Sequence, residues 1–248
     1  MTEPTQFPNA PITEALLDIR VKLPEHIDLA RIATFQDAIK SRYPARRERV
    51  LWQSQFQMKE GDLKISPPTG GARGYLFASL DETQMVQVRL DGFTFNKLKP
   101  YDTWEALRDE ARELWQHYIE IASPKVITRV ALRYINRIEI PLPIRDFKDY
   151  ILTTLEIAPD LPQALASLFM RLVIPVPRMQ AVAVVTQAFD PPPETGEVLP
   201  LIFDIDVFCE AIFDINTEDV WEILEKLREL KNEIFFKSIT DRAKGLFQ

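Results

Sequence analysis

The 248-residue chain has one cysteine, two histidines and seven glycines, and each shortage removes a class of explanation. Cys209 cannot close an internal disulfide by itself, so a reducing compartment fits best. With only His26 and His117, there is little room for a histidine-based catalytic centre. The sequence contains no G-x-S-x-G, Walker loop, G-x-G-x-x-G or H-E-x-x-H, so the motif-marked enzyme classes are unsupported and no cofactor is expected. No window reaches eighteen apolar residues, and the first twenty residues hold acids and prolines rather than a basic start and an apolar stretch. Neither secretion nor membrane insertion is expected, and a cytoplasmic location follows. A basic excess is missing too. The formal charge of -7 argues against a nonspecific nucleic-acid binder, which needs cations to displace counterions from phosphate.

What is present is an ordinary globular composition, 46% hydrophobic and 27% charged, in a chain long enough to bury a core without staples. Nineteen prolines against seven glycines favour defined loops. The periodicity switches repeatedly between two and about 3.6. From Ala15 to Leu23, Leu17, Ile19, Val21 and Leu23 alternate with Asp18, Arg20 and Lys22, as in a half-buried strand. Asp28 to Tyr43 has helical spacing, with Asp28 as N-cap and Pro44 as stop. Short β-like runs follow at Val50–Met58, Gly74–Leu80, Met85–Leu90 and Phe93–Leu98, with Asp91-Gly92 as a hairpin signal and Gly61–Gly74 as a mobile loop. Asp102 to Ile121 is the clearest amphipathic helix, capped by Asp102 or Thr103.

After Pro124 a long β run reaches Ile140. The second half then reads as a helix over Ile144–Leu155, strands over Leu165–Val176 (with Ala164–Leu168 equally compatible with helix), Ala181–Phe189 and Leu201–Phe213, and a helix capped by Asn216 or Thr217 that runs to about Phe235. Thr103-Trp104-Glu105-Ala106-Leu107 and Val220-Trp221-Glu222-Ile223-Leu224 open their helices alike, which suggests a diverged internal duplication with halves 12–141 and 142–240. The expected fold is α+β: one domain over 1–248, with a twisted antiparallel sheet and helices packed on one face.

The long strand carries the most unusual charge pattern. Alternation places Ile127, Arg129, Ala131, Arg133, Ile135, Arg137 and Glu139 on one face and Val130, Leu132, Tyr134, Asn136, Ile138 and Ile140 on the other. Arg129, Arg133 and Arg137 either form a cross-strand ion-pair lattice with Asp18, Asp204 and Asp206, or present an arginine-lined surface to an anion, because the guanidinium fork grips carboxylate and phosphate bidentately. Asp204-x-Asp206 resembles a magnesium-binding pair if Asp18 or Glu139 converges on it. The arginines of Arg42–Arg49 read as a solvated loop or a second anion contact. Tyr43, Trp52 and Phe56 read as core.

Asn9-Ala10-Pro11-Ile12-x-Glu14-Ala15, Gly92-Phe93-Thr94-Phe95, Pro100-Tyr101, Trp104-Glu105, Arg133-Tyr134-Ile135-Asn136-Arg137-Ile138, Phe235 and Ser238-Ile239-Thr240-Asp241 span nearly the whole chain. On these motifs the sequence resembles a sporadically distributed bacterial and archaeal family of uncharacterised proteins of about this length. The resemblance implies mobile genes such as antiviral-defence or toxin–antitoxin operons, and carries no activity over to named residues. Three functions are expected in order, the last of them a nucleic-acid-binding accessory. The first is a non-enzymatic accessory that binds another protein, encoded by a neighbouring gene. The second is a binder or metal-dependent phosphohydrolase of a nucleotide or polyphosphate, with the three arginines on phosphate and Asp204 and Asp206 on magnesium.

Overall fold

The computed structural model describes residues 7–53, 56–59, 62–65, 69–163, 165–191, 196–215 and 218–248, and of residues 49–72 the backbone alone. The Asn216 or Thr217 cap, residues 61 and 66–68 of the Gly61–Gly74 segment and the side chains of Trp52 and Phe56 lie outside the described residues, and the rest of that segment is strand, within Asp62–Ile65 and Thr69–Ala78, rather than the expected loop. In chain order the first elements are β1 (Ile12–Lys22), α1 (Leu29–Ala33), α2 (Phe35–Ile39), β2 (Ala45–Gln53), β3 (Phe56–Lys59), β4 (Asp62–Ile65), β5 (Thr69–Ala78), β6 (Gln84–Arg89), β7 (Gly92–Leu98) and α3 (Trp104–Ala122). The remainder are β8 (Val126–Pro141), β9 (Phe169–Val176), β10 (Ala181–Phe189), β11 (Val198–Phe213), α4 (Asp219–Ser238) and α5 (Asp241–Lys244).

Nine strands form one antiparallel sheet in the order β2-β5-β6-β7-β1-β8-β11-β10-β9, and β3 and β4 form a separate hairpin. The α+β expectation holds. β1 and β8 lie side by side at the centre, and the chain returns to each through a meander: β5-β6-β7 to β1, then α3, and β9-β10-β11 to β8, then α4. The two sides of the β1–β8 seam therefore share an order of connection.

The registers Leu17↔Phe95, Leu17↔Leu132 and Leu132↔Val207 run one apolar row across the seam. This face is buried under the helices. Phe93 packs on Trp115 and Tyr118 of α3, and Phe203 stacks on Phe235 of α4. At about 25 cal/mol per Å2, the aromatic and branched side chains of this layer are the main stabilising term. The opposite face carries the charged residues, because a strand alternates. None of the described helices is long and apolar enough to cross a membrane.

Several local expectations are corrected. Thr34 divides the Asp28–Tyr43 helix in two, its hydroxyl bonding back to Arg31 O at 2.7 Å and competing with the helical ladder. Asp28 does cap the first piece, accepting from Arg31 N–H at 2.8 Å. Ile144–Leu155 is not a helix but holds a single 3-10 turn at Phe147–Asp149. Its backbone is spent on tertiary pairing, with Leu152 N–H donating to Ser238 O and Thr240 N–H to Tyr150 O. The strand expected from Leu165 begins at Phe169, and β2 begins at Ala45, so Arg46 and Arg47 belong to a strand rather than a loop. Ile127 lies on the core face: the register slips between Arg20↔Arg129 and Val21↔Ile127, and the irregularity at Thr128 flips the alternation. The Asp91-Gly92 signal does mark a hairpin, but the turn residues are Leu90 and Asp91. Gly92 opens β7 at φ +156°, where a Cβ would stand 2.4 Å from Ile19 O, so the close approach of β1 is what demands glycine.

Candidate functional site

The open face of the sheet gathers the charged residues singled out from the sequence, and it brings them together as pairs. Arg133 grips Asp204 with both arms of its fork, Nε to Oδ1 at 2.8 Å and Nη2 to Oδ2 at 2.6 Å. Asp206 is its register partner, yet the bidentate bond is diagonal. Arg129 bridges Asp18 at 3.2 Å and Asp206 at 3.3 Å while its guanidinium lies over the Phe208 ring. Arg137 holds Glu139 at 2.7 Å and Asp190 at 3.2 Å. The lattice is completed by a residue that the sequence reading passed over. Arg89 donates to Asp18 at 2.7 Å, to Thr94 at 2.6 Å and to Asp91 at 3.1 Å, with its side chain 4% exposed. Its signal was present, since Val86 and Val88 turn inward and so place Gln87 and Arg89 on the charged face.

The electrostatics follow from these contacts. Burial works to raise the Asp18 carboxyl, but Arg89 and Arg20, with the Thr94 hydroxyl, outweigh it and hold it below the ordinary aspartate range. Asp206 goes the other way. Burial pushes it up, aided by its neighbours Asp204 and Asp18, against the pull of Arg129 and Arg133. The three arginines thus meet acids supplied by the fold itself, and an incoming anion would compete with bonds already made. Both oxygens of Asp204 face Arg133. Among the described residues no group of three or more His, Cys, Asp or Glu is placed to hold a metal ion. Of the Arg42–Arg49 cations, Arg42 is engaged by Glu110 and Glu113, Arg46 stacks on Tyr75 at 4.1 Å and Arg47 reaches Glu82 at 3.4 Å, and the Arg49 side chain lies outside the described residues.

Beyond the lattice the open face turns apolar toward β9. Rows Phe208↔Val182↔Pro175 and Asp206↔Val184↔Val173 step from the charged seam to the free edge. There Phe169 is 73% and Val173 54% exposed. Phe189 N–H donates to Leu168 O, and bonded pairs alternate in an antiparallel ladder. The N–H groups of Phe169, Arg171 and Val173 therefore project from the free edge, and Pro175 has none. Natural edges are shielded by charge or proline, and only Arg171 and Pro175 serve β9 in that way.

The helical face holds a cleft of about 860 Å3 between α4, β8, the segment 7–12 and the start of α3. Phe7, Tyr101, Trp104, Tyr134, Phe235 and Phe236 wall it, and Arg228 and Lys231 reach it from α4. The hydroxyls of Tyr101 and Tyr134 are 2.8 Å apart. Burial lifts the Tyr101 phenol to about 12, so both rings stay neutral hydrogen-bonding groups. No family model matches the chain, and no curated protein is similar to it; the family resemblance rests on the quoted motifs alone.

Proposed function

We propose that this protein is a non-enzymatic accessory that binds another protein, taking an extended segment of that partner as a tenth strand on the β9 edge. The observation that carries this reading is the unshielded edge itself. Phe169 and Val173 stand exposed beside projecting backbone donors, the combination that strand addition uses: main-chain bonds for affinity and alternate side chains for selectivity. The apolar rows of β10 extend the contact, and Arg171 suits a partner segment with acids beside its apolar positions. The product of a neighbouring gene is the proposed partner, within the defence or toxin–antitoxin setting that the family resemblance implies.

The test is co-expression with the neighbouring gene products and co-elution of the complex. Val173→Pro removes an edge N–H without touching the β10 ladder, and Phe169→Asp puts a charge on the contact. Each is expected to abolish the complex with the melting temperature nearly unchanged, whereas Arg129→Ala with Arg133→Ala leaves it intact. A complex that survives both edge variants, or a chain that only pairs with itself through β9, refutes the proposal.

A further inference from the structure

The lattice leaves the arginines of the open face satisfied, but one buried cation on the other face has no such partner. Lys231 is on the inward stripe of α4, 9% exposed, with no ion pair or hydrogen bond among the described residues. Its Nζ sits 3.7 Å from the centre of the Tyr134 ring. The one sealed side-chain atom lacking a partner among the described residues is Gln187 Oε1, so Nζ keeps its opening to the cleft. Burying an ammonium without an anion is unfavourable, and a lysine is almost never buried on an apolar stripe unless it is paired. Arg228, one turn earlier, is only loosely held, 3.9 Å from Glu105 and 3.6 Å from Glu225, against Trp104 at 5.6 Å.

We infer that the cleft binds a small organic anion, a carboxylate on a flat apolar body, with the carboxylate meeting Lys231 Nζ and Arg228 and the body lying between the aromatic walls. The volume is that of a small-molecule site, and such sites combine apolar walls with a few placed polar groups. The Tyr101 and Tyr134 hydroxyls supply one further donor, since a pair of phenols uses only one of its two protons between them. This site is independent of the β9 edge.

The surroundings of Lys231 also fix how binding depends on pH. Burial, with Arg228 adding to it, lowers the Lys231 ammonium to about 7. The groups around it are Arg228 on its own helix, Tyr134 from β8, Lys99, Tyr101 and Asp102 from the segment before α3, and Glu105 from α3. A bound carboxylate favours the protonated amine, so at pH 8, above the midpoint of the free amine, the protein takes up a proton on binding the ligand.

Indole-3-acetate is the probe, with the neutral indole-3-acetamide beside it, in calorimetry at pH 8 in two buffers of different ionisation enthalpy. Expected results are binding of the acid with proton uptake, binding of the amide at least roughly 30-fold weaker, and affinity for the acid falling about tenfold per pH unit above about 7. Lys231→Met should lose roughly 30-fold in affinity and all of the proton uptake while remaining folded, and Arg228→Gln should keep the uptake. Equal binding of acid and amide, unchanged uptake in Lys231→Met, or no binding of either probe overturns the inference.

Discussion

Replacing Lys231 with methionine should make the protein more stable, and by an amount that depends on pH in a defined way. The folded ammonium is lowered from 10.5 to about 7, a difference of about 3.5 units, which at about 1.4 kcal/mol per unit sets an upper bound of roughly 5 kcal/mol. The sign follows from proton counting. Below about pH 7 both states carry the proton, and the folded state bears the full cost of a buried charge. Between about 7 and 10.4 the unfolded chain holds the proton more tightly, so stability climbs with pH. Above that range both amines are neutral and the cost is gone. Water reaching Nζ through the cleft reduces the realised amount, and methionine fills nearly the same volume without a charge. We expect Lys231→Met to gain about 2–4 kcal/mol at pH 6 and less than about 1 kcal/mol at pH 10. Urea unfolding of both proteins across that range reads the difference, from which titrations common to the two chains cancel. A difference that is flat with pH, or a methionine variant less stable than wild type at pH 6, would refute the reasoning.

Three other substitutions probe the frame. Asp18→Asn leaves the buried Arg89 facing a neutral amide and should cost about 3–5 kcal/mol at pH 7 in denaturant unfolding. Because the folded Asp18 pKa is depressed, that stabilisation is complete above the unfolded value near 3.9 and fades as pH falls through the folded one, so the two chains should converge in acid. Thr103→Ala removes the bond from Ala106 N–H to the capping hydroxyl and should cost about 1 kcal/mol, with Thr103→Ser restoring most of it, in thermal unfolding of α3 followed by circular dichroism. Gly92→Ala should cost roughly 2–4 kcal/mol, measured as a shift in urea midpoint, since its Cβ would overlap the β1 backbone at Ile19 O.

Where one physical signal dominated, the sequence was readable. The β1 alternation, the α3 stripe and its Thr103 cap and the acids opposing the arginines all appear in the structure where periodicity placed them. The failures have local causes. A hydroxyl in competition with the helix ladder split α1 from α2, and tertiary backbone pairing claimed the Ile144–Leu155 segment that a 3.6-residue period described as helix. One irregularity at Thr128 moved Ile127 to the core, because strand alternation is counted one residue at a time. Lys231 went unnoticed for a different reason. Its position, four after Leu227 and four before Phe235, marks it as inward, but a lysine among apolar residues is easily passed over when the pattern is read only for what is hydrophobic.

Charge accounting at the β1–β8 seam decides which surface can respond to a ligand. Strand β8 presents Arg129 and Arg133 to one side and Tyr134 and Asn136 to the other. On the first side every singled-out arginine is matched by an acid from a neighbouring strand, loop or its own strand, so an anion arriving there must displace a bidentate or bridged carboxylate and regains little. On the second side Lys231 has a ring face and, among the described residues, no ion pair, so an anion arriving there relieves a cost that folding has already incurred. The surface with more arginines is thus the poorer candidate for an anion site, and the cleft that holds Lys231 and Arg228 the better one. Affinity depends on what a charge lacks, and counting cations along a strand measures only what it has.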